Sequence, residues 1–113
     1  MHVRHWENSG GNIWDKYTVK MFPQAYRDID KIYEQALLVS NYADNAIALA
    51  EKLEKAILSL EEQPYREAER KYGFYAFKGY RQLTVENYII VYEVFENEKV
   101  VAVVTVKYGK SEF

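Results

Sequence analysis

The amino-acid sequence predicts a single α+β domain in which one strand is followed by an α-helical hairpin and then by a mainly antiparallel sheet of three to four strands. Three observations predict this order, β-α-α-β-β-β. Two segments in the first half carry apolar residues at three- and four-residue spacing, which is typical of amphipathic helices. Residues 80–113 consist of strand-forming runs separated by two short acidic turns. The length of 113 residues suits one domain with one core.

The first strand and first helix are predicted from residues 17–37. Residues 17–22 combine β-branched and aromatic side chains in an alternating pattern, which favours a strand. Pro23 ends this strand and is well tolerated in the first turn of a helix. The apolar positions of the helix that follows are Ala25, Ile29, Ile32, Ala36 and Leu37.

A second helix is predicted between Asp44 and Pro64. Asp44 or a nearby Asn is a suitable N-cap, and Pro64 stops the helix. Its apolar stripe comprises Ile47, Leu49, Ala50, Leu53, Ile57 and Leu60. Because the linker between the two helices is short, we expect them to pack as an antiparallel hairpin.

The rest of the domain is predicted to be sheet. Strands are expected at residues 81–85, 88–95 and 99–108, with turns of hairpin length between them. Residues 100–106 are apolar on both faces, which indicates a strand in the middle of the sheet. The Tyr- and Arg-rich connection before them is predicted to carry one short strand at residues 75–77.

Composition excludes several kinds of chemistry. The chain has no Cys, so it has neither disulfides nor a Cys-ligated zinc site. Both histidines, His2 and His5, lie in residues 1–15, which we expect to be a flexible extension of the domain at residues 16–113. No cofactor or metal is implied. No apolar run reaches the roughly 20 residues that span a membrane, and we expect a cytoplasmic location.

Four sequence segments carry a family resemblance. AYRDIDKIY in the first helix, LEKAILSLEEQPYR at the end of the second, GYRQLTVENYIIVYEV and the C-terminal VVTVKYGKSEF resemble the RelE/ParE superfamily of bacterial type II toxin–antitoxin modules. The resemblance covers residues 17–113. It implies a growth-inhibiting toxin that a cognate antitoxin neutralises, of the kind associated with plasmid stabilisation.

The superfamily contains two activities, and both remain open at this point. One branch cuts mRNA on the ribosome, which requires a base, cations around the phosphate and a proton donor. In this branch the resemblance points to Arg81, Tyr108 and Lys110, and we expect Arg81 and Lys110 to project into solvent. Ile89 stands where those nucleases often have Arg, and the domain has no His to act as the base. The base would then be Glu93, Glu112 or a lysine.

The other branch resembles ParE, which inhibits DNA gyrase and needs no catalytic residues. The sequence lacks part of the set of residues that mRNA cleavage requires, and this favours the ParE-like branch. A toxin of this branch would bind the antitoxin and gyrase, whereas a nuclease would bind the antitoxin and the ribosome with mRNA. In either case we expect neither membrane binding nor sequence-specific DNA binding by the toxin alone. A non-toxic binding module on the same fold is a further alternative.

Two groups of residues are candidates for contacts with the target or the antitoxin. Clustered Arg and Tyr side chains are favoured as interface anchors, and loops often carry binding residues. The first group lies in the connection before the sheet and contains Arg66, Arg70, Lys71, Tyr72 and Lys78. The second is the Tyr26 and Tyr33 side of the helical hairpin, where an antitoxin helix would dock; the alternative is that the antitoxin adds a strand to an open edge of the sheet.

Overall fold

The computed structural model describes residues 2–4, 16–40, 43–67, 69–71, 73, 75–76 and 78–110. It confirms the predicted order of a strand, two helices and a C-terminal sheet. The elements are β1 at His2–Arg4, β2 at Thr18–Met21, α1 at Pro23–Ser40, α2 at Ala43–Ser59, β3 at Arg81–Val85, β4 at Tyr88–Phe95 and β5 at Val100–Tyr108.

The strands form one mixed sheet in the order β1-β2-β5-β4-β3. β2 runs parallel to β5, and the other neighbouring pairs are antiparallel. β5 therefore lies at the centre of the sheet, as its apolar sequence predicts. A register shift between Val91 and Tyr92 marks a bulge in the pairing of β4 with β5.

The strand β1 is not anticipated by the sequence pattern. It pairs antiparallel with β2, with His2 opposite Met21 and Arg4 opposite Val19. A three-residue strand is too short to show a periodicity of its own, so only the pairing with β2 identifies it. The remaining residues of the 1–15 segment lie outside the described residues, and the division of the chain at residue 15 stays a prediction.

The helices pack on one face of the sheet, with α1 against β5 and α2 against β3. Leu53, Ile57 and Leu60 are almost completely buried, which confirms most of the predicted apolar stripe of the second helix. Ile47 departs from that stripe, since its side chain is 42% exposed and the neighbouring Ala46 takes the buried position. The described helices include none long and apolar enough to cross a membrane.

The connection between α2 and β3 runs along the edge of the sheet. Glu69 forms an isolated bridge with Arg81, and the Arg70 N–H donates to the Tyr80 carbonyl at 2.7 Å. Tyr75 and Ala76 lie in a turn, so the strand predicted at residues 75–77 does not form over its two described residues.

Tyr92 fixes the start of this connection. Its side chain is fully buried in β4, and its hydroxyl donates to the carbonyl of Pro64 at 2.9 Å. Burial raises the pKa of Tyr92 to about 12. The hydroxyl therefore stays protonated and holds the end of the helical hairpin against the sheet.

A buried carboxylate, Asp28 of α1, joins the helix to the central strand. β2 ends at Met21, opposite Val103, so the following part of β5 has no strand neighbour on that side among the described residues. The Asp28 carboxylate, in a residue that is only 6% exposed, takes the place of that neighbour. Its contacts are the Thr105 hydroxyl, the Val106 N–H at 3.0 Å, the Gln24 side-chain amide at 2.8 Å and the Lys107 ammonium at 3.5 Å.

Candidate functional site

The C-terminal end of β5 lies beside the turn between β3 and β4. The Tyr108 ring packs edge-on against the Tyr88 ring, with 5.8 Å between their centres. Beyond it, the Gly109 N–H donates to the Asn87 carbonyl at 2.7 Å. Tyr108 is 41% exposed, and Lys110 is exposed. Both predicted residues are therefore accessible to a partner.

Gly109 favours this close approach. A Cβ atom at position 109 would lie 3.2 Å from the Asn87 carbonyl oxygen, which is backbone and cannot move aside easily. The absence of a side chain lets the end of β5 rest directly on the β3–β4 turn. This contact sets where Tyr108 and Lys110 lie.

Arg81 lies elsewhere, and its predicted projection into solvent is wrong. Side chains alternate along a strand, so Arg81 shares the helix-facing side of β3 with Leu83 and Val85, which pack in the core. Its guanidinium donates to the Glu67 carbonyl and stacks over the Tyr65 ring at 4.9 Å from the centroid. Arg81 thus holds the α2–β3 connection against the sheet.

The structure does not bring the three candidate catalytic residues together. Arg81 pairs with Tyr92, whereas Tyr108 pairs with Tyr88, four residues away along β4. At about 3.3 Å per residue, this separation is about 13 Å along the strand direction. The Arg81 guanidinium is moreover held at the Glu67 carbonyl and the Tyr65 ring, so it is not directed at Tyr108.

Other elements of nuclease or metal chemistry are also not assembled. Ile89 pairs with Lys107 across the sheet, Glu93 is half-buried, and Glu112 lies outside the described residues. In the described part of the chain, no group of three or more His, Cys, Asp or Glu side chains is placed to hold a metal ion.

The predicted basic group in the α2–β3 connection divides into exposed and buried members. Arg66, Lys71 and Lys78 are exposed, and Tyr72 lies outside the described residues. Arg70 is only 7% exposed, and its guanidinium donates to the Gln82 side chain at 2.6 Å. Burial lowers the pKa of Arg70. Its guanidinium fastens the connection to β3 and offers little surface to a partner.

Tyr26 and Tyr33 of α1 are both half-buried. Tyr26 packs against the core cluster, so part of its ring is already covered by the protein itself. What remains exposed of the two rings is compatible with the predicted antitoxin contact, which stays a prediction.

A cluster around Glu96, in the β4–β5 turn, is not evident from the sequence. The Glu96 carboxylate accepts hydrogen bonds from the Tyr17 hydroxyl at 2.6 Å, the Tyr65 hydroxyl at 2.7 Å and the Lys99 ammonium. The Lys99 ammonium also lies over the Tyr17 ring, 5.0 Å from its centroid. A groove of about 680 Å³ opens beside the cluster, between Tyr17, Tyr65 and Arg66. The cluster ties the start of β2, the α2–β3 connection and the β4–β5 turn to one another.

We expect the Glu96 cluster to give the stability of the protein a small pH dependence, because the carboxylate is exposed and solvent weakens its interactions. Hydrogen bonds from Lys99, Tyr17 and Tyr65 lower the pKa of Glu96 from its ordinary value of 4.5 to about 2. Because the pKa is lower in the folded protein, the stabilisation is complete above about pH 4.5 and is lost as the pH falls through about 2. We expect Glu96→Gln to lower the melting temperature at pH 7. The difference from wild type should shrink as the pH is lowered to 3 and then to 2, and a difference that stays constant would contradict this pKa.

Comparison with solved structures places the fold among toxins of toxin–antitoxin modules. A chromosomal ParDE system from P. aeruginosa matches with a TM-score of 0.69 and 18% identity, covering 83% of this chain and 97% of the other. The RelBE2 complex from Mycobacterium tuberculosis matches with a TM-score of 0.57 and 22% identity, covering 82% and 91%. The intact RelBE complex from E. coli matches with a TM-score of 0.57 and 17% identity, covering 85% and 99%. These likenesses show a RelE/ParE-like fold.

The family assignment comes from a sequence-family comparison. Residues 19–113 match the model of the ParE toxin of the type II toxin–antitoxin system, parDE. The chain therefore belongs to the ParE toxin family, within the RelE/ParE superfamily. It is a toxin whose partner is an antitoxin. No protein with a curated description matches the chain.

Proposed function

We propose that this toxin acts in the bacterial cytoplasm by inhibiting DNA gyrase, and that its cognate antitoxin neutralises it by covering the toxin surface. Membership of the ParE family supports a gyrase target over a ribosomal one. The observation that carries the proposal is the separation of Arg81 from Tyr108, because the described residues then include no assembled set of catalytic groups around a scissile phosphate. A toxin that acts by binding needs no such set.

Ribosome-dependent mRNA cleavage is the second candidate. Tyr108 and Lys110 are close in sequence and accessible, so they supply a proton donor and a cation at one end of the sheet. A base would still have to come from outside this pair. The structure thus supports cleavage less well than binding.

Expression in a bacterial host tests the proposal in cells. The toxin is induced with and without its antitoxin, and growth, plasmid topology and the 5′ ends of translated mRNA are followed together. Growth arrest accompanied by loss of plasmid supercoiling or by linearised plasmid is the expected result. Growth arrest with normal plasmid topology and mRNA cuts in phase with codons would overturn it.

Replacing Lys110 by Ala is expected to weaken gyrase inhibition about tenfold or more. Lys110 is an exposed cation next to Tyr108, and a hydrogen bond to a charged group contributes about 1.5–3 kcal/mol. The concentration of toxin that halves supercoiling activity measures the effect. Lys55→Ala, an exposed lysine on α2, is the matched control and should behave like wild type.

The Lys110→Ala variant should melt within about 4 °C of wild type, as substitutions of exposed side chains usually do. Unchanged inhibition, or a large loss of stability, would show that Lys110 is not a contact residue.

A further inference from the structure

We propose that β1 is a removable strap on the edge of β2, and that the edge beneath it takes an extended segment of the antitoxin. The inference rests on neutralisation by an antitoxin that covers the toxin surface, and it does not depend on gyrase as the target. β1 lies at one end of the strand order, so β2 would be the edge strand of the sheet without it. The unpaired N–H and C=O groups of such an edge readily accept a strand from another chain.

β1 lies outside the part of the chain that matches the family. The match to the ParE toxin model covers residues 19–113, which include most of β2 and exclude β1. The family domain, as matched, thus contains this edge but not the strand that covers it. The pairing of β1 with β2 shows directly that the edge accepts an antiparallel extended segment.

The backbone of β2 directs alternate N–H groups to its two neighbours. The N–H groups of Thr18 and Phe22 donate to carbonyls at the start and middle of β5, at 2.8 and 2.9 Å. Because these directions alternate along a strand, the N–H groups of Val19 and Met21 point the other way, toward β1. Arg4 lies opposite Val19 in that pair. β1 therefore occupies the hydrogen-bonding groups that an added strand would use.

β2 is held in place without β1. The side chains of Val19 and Met21 are buried in the hydrophobic core. Just before the strand, the Tyr17 N–H donates to the Glu61 carbonyl at 2.8 Å, and the Lys16 ammonium lies 2.8 Å from the Glu61 carboxylate. Displacing β1 therefore exposes the edge and leaves β2 in its position.

β1 itself is held weakly. It has three residues, and short strand pairs are marginally stable by themselves. Residues 5–15 tie β1 to the domain, so its pairing with β2 is intramolecular and needs no partner. A partner that also binds elsewhere on the toxin can displace so short a strand.

The charge of the edge disfavours a second copy of the toxin as the occupant. Two β2 strands that pair antiparallel, with Val19 opposite Met21 of the other copy, place the two Lys20 residues directly opposite each other. Like charges that face each other across a strand pair are destabilising, and a lysine on an edge strand is a common protection against self-association. A strand of different sequence avoids this repulsion, and an antitoxin is the partner that family membership gives this chain.

Proline substitutions in β1 test the inference. Arg4→Pro removes an N–H that faces β2, whereas Val3→Pro removes one that faces away, where an edge strand tolerates proline. Val3→Pro is thus the matched control, and Arg4→Ala controls for the lost side chain. Each full-length variant is prepared with and without the purified antitoxin of the same module. Antitoxin affinity, amide hydrogen exchange, sedimentation and growth arrest are measured.

We expect Arg4→Pro to bind the antitoxin at least about threefold more tightly than wild type, because the edge is then open before the antitoxin arrives. In the free variant, the Val19 and Met21 amides should exchange at least about tenfold faster than in wild type, and the antitoxin should slow them again. Val3→Pro and Arg4→Ala should match wild type in both measurements.

Unchanged antitoxin affinity of Arg4→Pro would overturn the inference. So would Val19 and Met21 amides that exchange at the wild-type rate in the free variant, or that still exchange fast in its antitoxin complex. Self-association of Arg4→Pro would assign the edge to a second copy instead. Altered growth arrest with unchanged antitoxin affinity would assign it to the poisoned protein.

These measurements separate failure of the inference from failure of the proposed function. A wild-type toxin that leaves gyrase active refutes the gyrase target alone. Antitoxin affinity and amide exchange then still decide whether the β2 edge binds the antitoxin, since neither involves gyrase.

Discussion

Replacing Asp28 by Ala is expected to lower the free energy of unfolding by about 2–6 kcal/mol, because it leaves two buried donors without an acceptor, and each such group costs about 1–3 kcal/mol. The change removes the acceptor for the Thr105 hydroxyl and the Val106 N–H, together with the counter-charge of Lys107. It also leaves the edge of the central strand β5 unpaired beyond the end of β2. We expect Asp28→Ala to be among the most destabilising single changes in this domain.

Chemical denaturation followed by circular dichroism measures this effect. Asp30→Ala is the matched control, since Asp30 is an exposed carboxylate on the same helix and should change stability by less than about 0.5 kcal/mol. The loss of stability caused by Asp28→Asn should lie between those of the other two variants, because an amide oxygen still accepts a hydrogen bond but carries no charge for Lys107. A loss below about 1 kcal/mol for Asp28→Ala would show that water replaces the carboxylate without cost.

Replacing Leu53 by Ala is expected to cost about 2–5 kcal/mol, the usual range for truncating a buried leucine. Leu53 is completely buried at the centre of the helix-facing core. The cost includes the lost burial of its side chain and the cavity left between α2 and the sheet. The midpoint of denaturation should fall while its slope stays the same.

Leu38→Ala provides the control for Leu53, since Leu38 is 80% exposed near the end of α1 and its truncation should change stability little. Equal effects of the two changes would contradict the register of α2. A large effect of Leu38→Ala alone would indicate that its exposed side chain is covered by another molecule in solution.

The sequence predicted those features that follow from local periodicity. The helical stripes predict α1 and α2, and the unbroken apolar run predicts that β5 is central. The alternation of side chains along β3 also contains the information that corrects the prediction for Arg81. Residues two apart on a strand lie on the same face, so Arg81 lies on the same face as Leu83 and Val85. That information identifies Arg81 as helix-facing without the structure.

Features that depend on contacts between residues far apart in the chain could not be predicted from the sequence. Glu96 binds hydroxyls that lie 79 and 31 residues away, and no local pattern joins them. Asp28 looks like one more polar residue of an amphipathic helix until the end of β2 is known.

Supercoiling by purified gyrase in the presence of the purified toxin, at increasing toxin concentrations, is the most direct test of the proposed activity. We expect dose-dependent loss of supercoiling, which a stoichiometric amount of antitoxin reverses, and no cleavage of mRNA in a parallel translation reaction. Full gyrase activity at saturating toxin, together with translation-dependent cuts in the mRNA, would contradict the proposal and assign the toxin to the ribosome-dependent nucleases.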